Sequence, residues 1–303
     1  MSKHYNNGWL AEQEQADKES LFGSPCDGLH VVDTDEAMAL IAESAKTPIL
    51  THPWKMASFL HEKDEAPYRR LTVWNQDANN CAGHATSRAI ESFMLIAQWT
   101  ATRRELKPFE VYVPWVWGVG KNEVGQSGTG GATMGAMLSM IAKNGVLPAD
   151  LQGLPPYNGT SNAWAKNYGK QSQNAPYSQY WPDAKQHVVT VAELPRDADA
   201  FYLACKGGFA VAFGTSQRIV MQGTGEDRVW KASGGWMHAM AAYGYNERLE
   251  SVGIDNSHGD GFAWASESVL KSVVESARFY DAFAILGIQP RQSGADWTVL
   301  GRN

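Results

Sequence analysis

The sequence has little cysteine. Three thiols, Cys26, Cys81 and Cys205, are spread over 303 residues. No two stand at metal-ligand spacing, and an odd, scattered set makes no disulfide framework. That usage implies free thiols in a reducing compartment. Long apolar runs are missing as well: none approaches the roughly 20 residues that a bilayer span requires. The opening Met1-Ser2-Lys3-His4-Tyr5-Asn6-Asn7-Gly8 lacks the apolar core of a secretory signal, so no signal peptide is expected. Basic charge is short, with 26 Lys and Arg against 32 Asp and Glu and a net charge of −6. No basic stripe stands out, which argues against a nucleic-acid partner. Internal repeats and low-complexity tracts are absent.

What is present fits a folded protein with a sizeable core. Hydrophobic residues make up 44% and aromatics 11%, with 12 Trp. The length allows one large domain or two small ones. Residues 1–70 are polar and irregular apart from a helix expected over 35–46, where Ala37, Leu40, Ile41 and Ala45 share one face. This segment reads as an arm, a docking extension or a swapped edge, and partners are expected to assemble through it.

The residues Asn75-Gln76-Asp77-Ala78-Asn79-Asn80-Cys81 form a polar, turn-forming run that delivers a cysteine to the start of a helix. Ile90, Phe93, Met94 and Ala97 recur at helical spacing and give it a buried face. Asn79 or Asn80 is suited to cap it. A thiol in the first turn feels the positive end of the helix dipole, which lowers its pKa. By this reading Cys81 sits in a polar setting. Cys205 follows Phe201, Tyr202, Leu203 and Ala204 on an expected helix and reads as a core residue, and Cys26 as a loop thiol.

Further along, an apolar, aromatic stretch over 109–119 carries Trp115 and Trp117, both read as core. A glycine-rich loop over 125–131 leads into a second helix with Met134, Met137, Leu138 and Ile141 on one side. Gly145 is placed as its left-handed stop. That loop lacks the Lys-Ser/Thr of a phosphate loop. Residues 150–185 read as a long ordered loop. From His187 onward the texture is short strands, expected over 187–191, 209–214, 237–245, 251–254, 262–264 and 280–286, with helices over 197–206 and 266–276. Helices first and strands later imply an α+β fold in two halves with a cleft between them.

A cysteine nucleophile needs a base, and the base needs a third group to orient it. Only 8 His are available. His238 lies in a small-residue strand, and Asn256 ends the next. Adjacent antiparallel strands bring such residues side by side. His84, one turn after Cys81, reads as a helix-face residue. No ligand set for a metal and no cofactor motif appears.

In this order the segments resemble the papain-like cysteine peptidases over roughly residues 73–286. Gln76 and Cys81 resemble the oxyanion Gln and nucleophile region. Gly130-Gly131, Gly145-Val146-Leu147-Pro148 and Pro156-Tyr157 resemble the family's glycine wall and the stretch after it. Gly207-Gly208-Phe209-Ala210-Val211-Ala212 and the run from His238 to Tyr245 resemble its core strand and histidine motif. Asp255-Asn256-Ser257-His258-Gly259 resembles "Lys-Asn-Ser-Trp-Gly".

The resemblance implies a two-lobed α+β fold. Residues 1–70 would form an extension, 71–185 a helical lobe with the nucleophile helix, 186–290 an antiparallel β lobe and 291–303 a tail. It implies Cys81 as nucleophile, His238 as base and acid, Asn256 as orienter, Gln76 as oxyanion donor and Gly130 and Gly131 against the substrate. Three departures stand out. Gln76 is five residues before Cys81 where the family sets six, and Asn75 occupies the sixth. Ala82 replaces an aromatic, and His258 replaces the Trp that shields the His–Asn hydrogen bond. The resemblance implies peptide or amide hydrolysis through a thioester, on polypeptide or on peptidoglycan peptide as in cell-wall amidases. A catalytically weak or inactive binding protein is the alternative. The compact pattern resembles bacterial and bacteriophage members, so the expected setting is cytoplasmic or virion-associated.

Overall fold

Spacing of Ala37 and Ile41 turns one face of the first helix inward, and both side chains are fully buried. The computed structural model describes residues 31–46, 76, 80–101, 109–123, 131–154, 179–224, 228–258 and 261–288. This helix, α1 (Thr34–Lys46), starts at Asp33, whose carboxylate accepts the N–H groups of Asp35 at 2.9 Å and Glu36 at 3.4 Å. Ahead of it, Val32 N–H donates to Val191 O at 2.9 Å. This described part of the N-terminal segment is thus docked on its own chain. The Cys26 loop, Asn75, Asn79, Gly130, Pro156-Tyr157 and most of the 150–185 loop lie outside the described residues.

Helix α2 (Cys81–Ala101) is the centre of the molecule. Sequence periodicity predicts one buried face, yet every side chain from 81 to 97 is buried. Helix α3 (Val113–Glu123) covers one side, with Pro114 in its first turn, where no backbone N–H partner is lost. Helix α4 (Met134–Asn144) covers another, capped by Thr133 Oγ1, which accepts from Ala136 N–H. A short turn of helix, α5 (Trp181–Ala184), and a 3-10 turn (Lys185–His187) lead to the sheet. Trp115 packs edge-on against Trp181 at 5.0 Å and donates to Gly145 O at 3.2 Å, so it is core as expected.

The strands are β1 (Val189–Glu193), β2 (Ala210–Gln222), β3 (Val229–Asn246), β4 (Ser251–Asn256), β5 (Gly261–Ser266) and β6 (Tyr280–Ile288). Helix α6 (Ala198–Lys206) precedes β2, and α7 (Glu267–Val274) lies between β5 and β6. The sheet order is β1-β6-β2-β3-β4-β5, and neighbours run antiparallel. Helix α2 lies across β2 and β3. The two lobes share one apolar core, from Phe93 and Trp115 to Phe213 and Phe283.

One local expectation differs from the structure. The β2–β3 hairpin extends far beyond 209–214 and 237–245, to pairs such as Ile219 with Ala232 and Met221 with Trp230. Its outer half mixes polar residues with Ile219 and Trp230, which are buried in the core. At the start of α7, Ser266 holds the N-cap position without a side-chain cap hydrogen bond. Among the described residues, no helix is long and apolar enough to cross a membrane.

Candidate active site

Cys81 opens α2, and the preceding Asn80 carbonyl accepts His84 N–H at 3.1 Å. The first-turn position predicted from sequence is therefore the one observed, but the polar setting is not. Cys81 is 0% exposed. Burial pushes its thiol from 9.0 up to about 12; backbone hydrogen bonds from Ala239, Ala82 and Cys81 itself offset only part of this. That rise is worth about 4 kcal/mol. A helix terminus supplies about 1 kcal/mol in the other direction. Desolvation wins, and the expected lowering by the dipole is corrected to a rise.

His238 comes from β3 and Asn256 from the end of β4, whose register pairs Ala241 with Asp255. The His238 Nε2 and Asn256 Oδ1 are 2.7 Å apart in the buried interior. An amide oxygen only accepts, so Nε2 carries the proton and Nδ1 is left as the basic nitrogen. Nδ1 is buried and makes no hydrogen bond among the described residues. The sulfur is held by the backbone of Ala239, the residue after His238. Thiol and imidazole thus reach the same corner of the interior from opposite lobes, with no hydrogen bond closed between them.

No family model matches the chain, and no curated protein matches it in sequence. Xylellain, a cysteine protease from Xylella fastidiosa, matches with a TM-score of 0.51 over 74% of this chain and 84% of its own, at 17% identity. The digestive procathepsin L 3 of Tenebrio molitor larval midgut aligns over 91% of this chain and 99% of its own at 12% identity, with a TM-score of 0.45. The fold is papain-like.

Within that papain-like fold the position of the missing Trp is informative. His258, exposed, packs edge-on to His238 with ring centroids 4.4 Å apart. Trp236, from the same strand as His238, covers its ring at 4.6 Å and also reaches His258 at 6.1 Å. The indole over the His238 ring thus stands on β3, and position 258 adds an imidazole against its edge. Sequence reading missed Trp236; its spacing of two before His238 puts both on one face of a strand, which was the available signal.

Gln76 joins the same corner. Its N–H donates to Ser257 O at 2.6 Å, and its Oε1 accepts from Ser257 Oγ at 2.6 Å. With the amide oxygen engaged in this way, the other end of the side chain is a pure donor. Asn256 and Ser257, adjacent on the chain, therefore hold His238 and Gln76 respectively. Gly131 is buried just ahead of the Thr133 cap. His84, one turn after Cys81 on the same helix, is also buried. Among the described residues no cluster of His, Cys, Asp or Glu is arranged to hold a metal ion.

Burial lowers His238 from 6.5 to about 3, with the charge of His258 adding to it and the Asn256 hydrogen bond opposing. Burial, then the Arg88 charge, lowers His84 to about 3. These values set a stability profile. Between pH 6.5 and 3 the unfolded chain binds protons at both histidines and the folded chain does not, so stability falls as pH drops through that window. On the alkaline side the unfolded Cys81 ionises above pH 9 and the folded one does not, so stability falls again. Thermal melts are expected to show a plateau between about pH 6.5 and 9. In the His84→Gln variant the acid limb should become shallower; an unchanged limb would rule out this origin.

Proposed function

We propose that this chain is a cysteine peptidase that hydrolyses peptide or amide bonds with Cys81, His238, Asn256 and Gln76. The observation that supports it is the 2.7 Å His238–Asn256 contact, which leaves Nδ1 as the acceptor, while the backbone of the next residue, Ala239, holds the Cys81 thiol. In the proposed reaction the Cys81 thiol gives its proton to Nδ1, and the sulfur attacks the carbonyl carbon. The carbonyl electron pair moves onto oxygen, where the Gln76 amide and the backbone N–H of Cys81 donate to it. Collapse of this intermediate breaks the C–N bond, and the imidazolium returns its proton to the leaving amine. Water, deprotonated by His238, then cleaves the thioester, releasing the acid and restoring the thiol.

A peptide bearing a thiol-reactive electrophile tests the reading. Labelling is expected at Cys81, lost in Cys81→Ala and retained in Cys205→Ala. Cys205 is buried in the β lobe and its thiol is pushed well up by burial. Replacing Gln76 by Ala is expected to lower kcat about a hundredfold with the fold intact, the usual cost of one oxyanion donor. Labelling of Cys205 in place of Cys81 would end the proposal.

One observation favours a second reading, a weak or inactive binding protein, among them a virion component. The Cys81 sulfur has no exposed surface, so substrate needs an opening. Stoichiometric labelling of native protein by the peptide reagent excludes it; labelling only after denaturation selects it.

A further inference from the structure

We infer that Arg88 is a positioning residue that holds the three elements of this site in register, an inference that rests on the peptidase reading above. Arg88 follows Cys81 by seven residues on α2, about 10.5 Å along the axis and on nearly the same face. Its side chain is 3% exposed. The Nε is 3.0 Å from Asp255 Oδ2, and one terminal nitrogen is 3.0 Å from Glu91 Oε2. Asp255 immediately precedes Asn256. The same Asp255 oxygen accepts the Tyr243 hydroxyl at 2.8 Å, and Tyr243 lies on β3, the strand of His238. Each element that carries one member of the Cys81, His238, Asn256 set thus sends at least one side chain to a single buried junction.

The junction is built to stay ionised. Glu91 also accepts Val111 N–H at 2.9 Å through its other oxygen, which ties in the chain that enters α3. Burial disfavours the Arg88 charge, but the carboxylates of Asp255 and Glu91 outweigh it and hold its pKa above the ordinary value. Burial, with the Asp255 charge added, raises Tyr243 well above the usual phenol range, so it stays a donor. A planar guanidinium can meet both carboxylates at fixed angles; a lysine ammonium offers one point. Where the resembling motif has Lys before the Asn, this chain has Asp255, and the cation arrives from the helix instead.

The consequence concerns geometry at a distance. Asn256 sets the His238 ring, and Asp255 sets Asn256. Loosening the junction should let the imidazole drift from the sulfur, and an ångström of drift in such a site costs up to about a hundredfold. A brace that serves stability alone would lower the melting temperature without touching proton transfer at the thiol.

Iodoacetamide alkylation of Cys81 in the full chain, followed from pH 5 to 10, separates these. Arg88→Lys is expected to melt cooperatively and to react at pH 6 about tenfold more slowly than wild type, the gap narrowing as the pH rises and hydroxide competes with His238 for the thiol proton. Tyr243→Phe, which keeps the ring and removes one hydroxyl, should shift the profile in the same direction by less. It serves alone if Arg88→Lys fails to fold. A folded variant whose pH profile superimposes on wild type, with only its melting temperature lowered, overturns the inference. If wild type and His238→Ala also share one profile, the peptidase reading falls and takes this inference with it.

Discussion

Alkylation of Cys81 at pH 6 is expected to fall by about a hundredfold or more when His238 is replaced by alanine. The thiol by itself is in no state to react. Burial holds it near 12, so a lone sulfur at pH 6 is protonated almost throughout. Burial likewise holds the imidazole near 3, so a lone His238 is neutral there. Neither charge is tolerated singly in this interior. Moving the proton from sulfur to Nδ1 creates both at once, each the counter-ion of the other, which removes most of the penalty. Activation therefore belongs to the pair. Removing His238 leaves a sulfur with no acceptor for its proton. Asn256→Ala should cost less, about tenfold, because the base remains and only its tautomer and orientation are lost. Mass spectrometry of the Cys81 adduct measures both rates. A His238→Ala rate within about twofold of wild type would show that the imidazole takes no part.

The largest effect on stability is expected at Gly145. Gly145→Ala should lower the folding free energy by about 4 kcal/mol or more and the melting temperature by roughly 10 °C. The residue ends α4 with φ 77° and ψ −173°, a positive φ as the sequence suggested but with an extended ψ in place of the left-handed helical one. Its N–H donates to Ile141 O at 3.0 Å, and its carbonyl accepts from Trp115. The next residue, Val146, donates to His187 O at 3.1 Å. A Cβ here would overlap the Ala184 carbonyl, with the carbonyl carbon at 2.7 Å and His187 O at 3.0 Å. All of these are backbone, so no side chain can swing away. Gly244 is the control: φ is 73°, and a Cβ there meets nothing within 4 Å. Gly244→Ala should show backbone strain alone, about 1–2 kcal/mol. Equal losses at the two glycines would mean that the clash at Gly145 relaxes.

Much of the fold was legible locally. The spacing of Ala37 and Ile41 and of Met134 and Ile141 places helices within a residue or two of those observed. Alternation and glycine turns place the cores of all six strands. The outer hairpin is not legible because Gln217, Arg218, Lys231, Ser233 and two glycines break the apolar pattern, while its buried Ile219 and Trp230 find their neighbours only in the folded core. On the site, the chain order Cys81, His238, Asn256 already pointed to one corner, while Trp236 and Ser257 were passed over. The Arg88 junction was invisible for a further reason. On a helix read as having one wet side, Arg88 and Glu91 look like ordinary surface charges.

The sequence by itself determined which segments coil, which extend, and that a thiol begins the central helix. Those follow from periodicity, caps and turns, whose interactions reach only a few residues along the chain. Tertiary structure alone decided that α2 is buried on every side, that its thiol is raised instead of lowered, and that an arginine two turns on meets an aspartate from a distant strand. Desolvation and charge pairing depend on what packs against a residue, and for Cys81 and Arg88 the neighbours come from more than 150 residues away.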